Sequence, residues 1–322
     1  MRYTRRDFGT LTLGTLPAVA MLGRPSAAFA ESKPNSVVDG VNLGTITYSY
    51  RSMPDQSAEA ILRYVIDSGI SAIEFMGDPV EAFAGAPPVP RGGGPGGRGG
   101  AAPTPDQQAA RREAMQKLSA WRTSVSMDRF KTLRRMFNDA GVTIYAWKQL
   151  SPDMSDAEME YVFNVAEALG CTHTTLELVD DVAQLKRIGA FAEKKKIYAA
   201  YHTHLQGTIT AFDQAFAVSK GNMANVDLGH YVAAGGDPIA FLNKFHDRIA
   251  SFHLKDRQKP EHGQGNLQWG TGDTPLREIL QLVKKNRWTM PATIELEYEV
   301  PQGSDAVKEV VKCFRFCKDA LA

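Results

Sequence analysis

The stretch Asn225–Asp256, NVDLGHYVAAGGDPIAFLNKFHDRIASFHLKD, holds two short apolar runs, each ending in groups that bind metal or move protons. The first ends in Asp227-Leu228-Gly229-His230 and the second in His253-Leu254-Lys255-Asp256. Between them, Gly235-Gly236-Asp237-Pro238 opens a helix-like segment. The order reads strand, loop, helix, strand, with the chemistry at the carboxyl end of each strand. In a parallel α/β barrel that end is where active sites sit.

The same texture runs outward on both sides. Upstream, Val41–Tyr48, Ile70–Phe75, Val142–Trp147, Cys171–Leu178 and Ile197–His204 read as strands. The opening stretch and its edges supply Ala224–Leu228 and Ile249–His253, and Ala292–Glu297 (ATIELE) is the eighth. Helical patterns lie between them. Ala58–Ser68 carries an apolar stripe, and Ser155 with Glu158 three later forms a capping box for Ser155–Leu169. Eight strands alternating with helices predict a (β/α)8 TIM barrel rather than an open doubly wound sheet. No G-x-G-x-x-G follows the first strand, which counts against a dinucleotide fold.

The chain has 322 residues, 43% hydrophobic and 23% charged, enough for one large barrel. Gly85–Pro105 is a Gly/Pro-rich tract that cannot bury a core, and reads as a flexible surface insertion, either a lid or inert. At the N-terminus, Thr4-Arg5-Arg6-Asp7-Phe8, an uncharged run over Gly9–Gly23, and Ala28-Phe29-Ala30 have the layout of an export signal. The paired arginines resemble a twin-arginine address, so residues 1–30 are expected to be removed and the barrel, 31–322, to be periplasmic or secreted. The uncharged run is too short for a membrane span, so no stable membrane anchor is expected. Removing Arg2, Arg5, Arg6, Arg24 and Asp7 leaves 33 basic and 35 acidic residues, a net −2. That balance gives no support for a nucleic-acid partner. Cys171, Cys313 and Cys317 form no CxxC pattern and read as small core residues. The sequence leaves self-association into a homo-oligomer open.

His202, His204, His230 and His253 lie at or just past strand ends, joined by Glu177, Asp227, Glu295 and Glu297. Glu177, His202, Asp227 and His253 are spaced 25, 25 and 26 residues apart, about one βα unit each time, and Glu295 follows 42 later. Such residues converge on one axis of a barrel. Carboxylates and imidazoles meeting there repel, or stay partly protonated, without a cation. One divalent metal resolves this. Mixed His/Asp/Glu ligation suits manganese, iron, cobalt or zinc better than magnesium. His173, His246 and His262 read as structural or solvated.

Asp-x-Gly-His at 227–230, His-Leu-Lys-Asp at 253–256, and Gly-Thr-Gly-Asp-Thr-Pro-Leu at 270–276 before a Glu-bearing last strand resemble the xylose-isomerase-like barrel superfamily. Its members include sugar phosphate isomerase/epimerase proteins, ketose 3-epimerases, inosose dehydratase and endonuclease IV-type nucleases. The resemblance implies one divalent ion, often manganese, held by Asp227, His253 and Glu295. The fourth place falls on His202, where the epimerases carry Glu. That departure weakens the symmetrical two-glutamate exchange of an epimerase, and Glu177 is the alternative carboxylate. Glu297 shares the strand face of Glu295, so the choice between them as ligand stays open.

The expected activity is a metal-dependent sugar isomerase or epimerase working through an enediolate, with elimination (a lyase or dehydratase) as the alternative. Glu295 or Glu177 is expected as base, and His204 and His230 to orient or protonate substrate oxygens. Lys255 either pairs with the developing oxyanion or forms an ion pair with Asp256. Glu74, Trp147 and Glu297 are expected to contact the substrate, a small sugar without phosphate. A non-catalytic sugar-binding barrel would keep Trp147, Tyr48 and Trp269 but show no turnover.

Overall fold

The computed structural model describes residues 33–90, 104–204 and 206–322. Within Pro34–Ala322, parallel strands close into a barrel. They are β1 (Val41–Ile46), β2 (Ala72–Met76), β3 (Thr143–Lys148) and β4 (His173–Glu177), then β5 (Tyr198–His202), β6 (Asn222–Asp227), β7 (Ile249–Leu254) and β8 (Ala292–Ile294). Each pairs with its neighbour in sequence, and β8 pairs with β1 to complete the ring. The TIM barrel expected from the alternation is therefore the fold.

Local chemistry sets the element ends. The helix Asp156–Leu169 starts at the expected box, with Ser155 Oγ accepting from Glu158 N and Glu158 Oε2 accepting from Ser155 N. Gly170 ends it at φ 79°, a conformation that favours glycine. Outward-facing side chains such as Phe75, Leu176, Val226 and Phe252 pack beneath the helices. The barrel interior is polar instead: Glu74, His173, Thr175, Asn225, Ser251 and Thr293 are all buried there. Buried polar groups need partners, and these have them. His173 Nε2 meets Ser251 Oγ at 2.9 Å, and Tyr145 Oη meets Thr293 Oγ1 at 2.7 Å.

Several boundaries differ from the sequence reading. The first strand stops at Ile46 and Thr47–Tyr50 forms a 3-10 turn. A helix, Gly77–Ala84, follows β2 directly, between that strand and the Gly85–Pro105 tract, where the sequence reading places no element. The strand expected over Ala292–Glu297 stops at Ile294, so Glu295 and Glu297 lie just past it. The Gly-rich loop after β7 contains a two-stranded ribbon, Asp256–Arg257 with Asn266–Leu267. Residues 1–32 and 91–103, which carry the export-signal reading and most of the insertion, lie outside the described residues. Among the described residues no helix is long and apolar enough to cross a membrane. Cys171, Cys313 and Cys317 are buried and free, as small core residues.

Candidate metal and active site

Four strand-end residues, His202, Asp227, His253 and Glu295, bring one ligand atom each to within 4.8 Å of one another, and all four are buried. The barrel's stagger does this. Asp227 lies opposite His253, but the partner of His202 is Asn225, so Asp227 reaches the cluster from two residues further along β6. Glu295 follows β8, its N–H donating to Leu254 O.

The layer beneath orients the imidazoles. His253 Nε2–H donates to Glu74 Oε2 at 2.7 Å, and Nδ1 faces Glu295 Oε2 at 2.6 Å. Asn225 Nδ2 donates to Ser251 Oγ and Glu74 Oε2, so its Oδ1 accepts from His202 Nδ1 at 3.0 Å. That network leaves His202 Nε2 as the lone pair available to a ligand. Burial, reinforced by Lys148, pushes the His202 pKa well below its ordinary value, so the ring is neutral. Burial works against a charge on His253, but Glu74 and Glu295 outweigh it and raise its pKa to about 10.

Lys255 is buried and its Nζ lies 2.9 Å from Asp227, 3.1 Å from Glu295 and 2.5 Å from Glu297. The ion pair expected between Lys255 and Asp256 is not formed. Asp256 instead accepts the backbone N–H groups of Gly270, Thr271, Gly272 and Thr274. A lysine beside an aspartate on an extended chain points to the opposite side from it.

A divalent ion fits this donor set. Buried Asp227 Oδ2 accepts no well-directed hydrogen bond, even with Lys255 Nζ near it. If His253 is neutral, Asp227, Glu295 and Glu297 share one ammonium, Lys255, while Glu74 beneath His253 has only the more distant charge of Lys148. Buried charge of that kind needs a compensating cation. Two imidazoles with two carboxylates match manganese, iron, cobalt or zinc.

At the rim, Glu177 is half exposed and stands outside the cluster. It pairs with Lys148 Nζ at 2.8 Å and with His204 Nδ1 at 3.4 Å. His204 and His230 flank His202, with ring centroids 5.0 and 6.3 Å from it. Arg257 donates to His230 Nδ1, which leaves the proton on Nε2, 3.6 Å from Glu297 Oε2. Burial, with Lys255 and Arg257, lowers the His230 pKa to about 2, so it is a neutral donor.

Two expected substrate contacts are corrected. Trp147 is fully buried and packs edge-on against Tyr161 of the helix Asp156–Leu169. A bulge explains the error: the pairing with β2 steps from Ile144 to Ala146, leaving Tyr145 as the extra residue. Tyr145 then points into the barrel and Trp147 outward, although strict alternation puts both on one side. Glu74 is also fully buried, beneath His253 rather than open to a ligand. The sequence reading missed Lys148, Asn225 and Arg257. Asn225 carried a signal, since it shares the strand face of Asp227 two residues away; the other two had none beyond adjacency to strand ends.

A family model described as "Xylose isomerase-like TIM barrel" matches residues 121–317. The inosose dehydratase of Clostridium perfringens is 27% identical over 121 residues, 36% of this chain and 38% of that protein. The alignment thus spans well under half of that curated relative's length. Among solved structures, the probable 3-DHS dehydratase AsbF of Bacillus anthracis superposes with a TM-score of 0.60 at 14% identity, over 85% of this chain and 98% of that one. The IOLI protein, solved with a bound zinc atom, superposes at 0.58 and 14% identity, over 87% and 98%. At these identities the structural likenesses show the fold.

Proposed function

The chain belongs to the xylose isomerase-like TIM barrel family, and on that premise we propose that it is a divalent-metal-dependent lyase, eliminating water or another β-substituent from a keto-polyol or keto-sugar. The convergence of His202, Asp227, His253 and Glu295 carries this reading. The dehydratase names of the sequence relatives support elimination over the isomerase or epimerase expected from the sequence. So does the asymmetry of the site: His202 holds the β5 place, and the Glu177 carboxylate is engaged by Lys148. An epimerase needs a base on each face of the inverted carbon.

His202 Nε2, His253 Nδ1, Asp227 and Glu295 would hold the ion, manganese or zinc being suited to the set. When bound, it supplies a Lewis acid that lowers the cost of negative charge on the substrate carbonyl oxygen. His204, oriented through Nδ1 by Glu177, accepts the proton α to the carbonyl at Nε2. The C–H electron pair forms the enediolate double bond. As the carbonyl re-forms, the enediolate double-bond pair moves to make a double bond between the α- and β-carbons, the C–O bond to the β-hydroxyl breaks, and that oxygen takes the proton back from His204 and leaves as water. His230 donates its Nε2–H to a substrate oxygen, and Lys255 offsets the carboxylates next to the reacting centre.

The test is turnover of free keto-polyols and keto-sugars after chelation and after reloading with manganese, zinc or cobalt, run in D2O and followed by mass. Metal-dependent loss of 18 mass units supports the lyase. Deuterium incorporation without loss of water, or full turnover under chelator, overturns it. The export reading of residues 1–30 belongs to the same proposal, since phosphorylated sugars are scarce outside the cytoplasm. In a host with twin-arginine export, the protein is expected in the periplasmic fraction, and Arg5→Lys with Arg6→Lys is expected to retain it in the cytoplasm. Equal fractionation of both forms would remove the signal.

A further inference from the structure

A second cavity opens at the same end of the barrel, past the ends of β1, β2 and β3. It encloses about 410 Å3 and is lined by Tyr48, Arg51, Asp78, Lys148 and Gln149, among others. Small-molecule clefts are commonly roughly 300–1,000 Å3. Two of its walls join the site already described. Lys148 pairs with Glu177, which pairs with His204. Arg51 Nη1 donates to Leu296 O, the residue between Glu295 and Glu297.

The lining mixes apolar surface from Met76, Pro79 and Ala82 with polar groups, set around one aromatic ring. Tyr48 is among the exposed large side chains, and the Arg51 guanidinium lies over its ring at 4.3 Å. Arg51 donates to the carbonyls of Tyr48 and Leu296, and among the described residues it pairs with no carboxylate. Gln149 is held in place: its Nε2 donates to Glu81 at 3.3 Å, and its Oε1 lies where a Cβ on Gly77 would be, 1.5 Å away. Glycine at 77 is what lets the amide lie along the first turn of the helix. Planar polar groups beside an aromatic ring match the hydroxyl edge and apolar face of a pyranose. A wholly apolar ligand would strip water from Asp78 and from the Arg51 N–H groups not given to the carbonyls of Tyr48 and Leu296.

We propose that this cavity is a second sugar subsite, so that the substrate is a glycoside. The keto ring lies at the ligand cluster, and a further glycosyl ring lies against Tyr48 and Gln149. The placement of the first ring rests on the lyase reading. The test is calorimetric titration of the manganese-loaded full chain with methyl β-glucoside, cellobiose, maltose and trehalose. At least one disaccharide is expected to bind about tenfold tighter than methyl β-glucoside, about 1.4 kcal/mol. Tyr48→Ala is expected to bring that ratio to about one, while Tyr48→Phe, which keeps the ring, preserves it. Three outcomes overturn the subsite: no disaccharide exceeds the monosaccharide, the preference survives Tyr48→Ala, or glucuronate gains more than any disaccharide. Because turnover is not read, failure of the lyase leaves this ratio intact. Turnover of single-ring substrates with no disaccharide preference removes the subsite alone.

Discussion

At the residue scale, His253 is the pivot of the cluster. Its Nε2 proton is committed to Glu74, which fixes Nδ1 toward the other ligands. Glu74→Gln keeps the shape and removes the charge. A divalent ion feels that loss more than a proton does, so metal affinity is expected to fall about 10- to 100-fold, read by competition with a chelator. Unchanged affinity would mean that Glu74 has no part in holding the ion. The same ring sets a pH dependence. With its pKa raised to about 10 by Glu74 and Glu295 against burial, His253 carries a proton at neutral pH that an ion at Nδ1 must displace. Affinity is therefore expected to rise with pH, by up to about tenfold per unit between roughly pH 6 and 9, with about one proton released per ion. Calorimetry in buffers of different ionisation enthalpy measures that proton; release of none excludes Nδ1 as a ligand.

At the element scale, the loop after β7 is shaped by one carboxylate. Asp256 collects four backbone N–H groups from Gly270–Thr274. Burial raises its pKa, and those N–H groups work in the opposite direction. Asp256→Ala leaves the donors without their acceptor, and is expected to destabilise the protein by about 1–3 kcal/mol and to speed amide exchange over residues 270–274. Urea unfolding and hydrogen exchange read both effects, and protection unchanged in the loop would assign the ordering to its other contacts. The loop also carries Arg257, which donates to Gln264 O as well as to His230. Disorder there is expected to reach the site through His230.

For the whole molecule, the ligands come from the ends of four consecutive strands, β5 to β8, which only the closed ring brings together. An ion bound there ties the later half of the barrel and has no equivalent site in the unfolded chain. At about a hundred times its Kd it stabilises by about 2.7 kcal/mol. With about 2–4 °C per kcal/mol for a large domain, Tm is expected to rise by roughly 5–10 °C on loading, and to lose that rise in Asp227→Asn. A thermal shift as large in Asp227→Asn as in the parent chain would place the ion elsewhere.

The sequence by itself determined the barrel, because alternating strand and helix texture is a local property, repeated in each βα unit and closed by burial. It also brought forward His202, Asp227, His253 and Glu295, since strand-end position can be read from where apolar runs stop. Only the tertiary structure decided their company. The bulge at Tyr145 reversed the side on which Trp147 lies, and a one-residue change of register moves every later side chain to the other face. The stagger between β5 and β6 chose Asp227 over a level ring, the early end of β8 separated Glu295 from Glu297, and the polar interior turned Glu74 from a candidate substrate contact into the partner of His253. Each of these depends on hydrogen bonds between strands far apart in the chain, which no local pattern encodes.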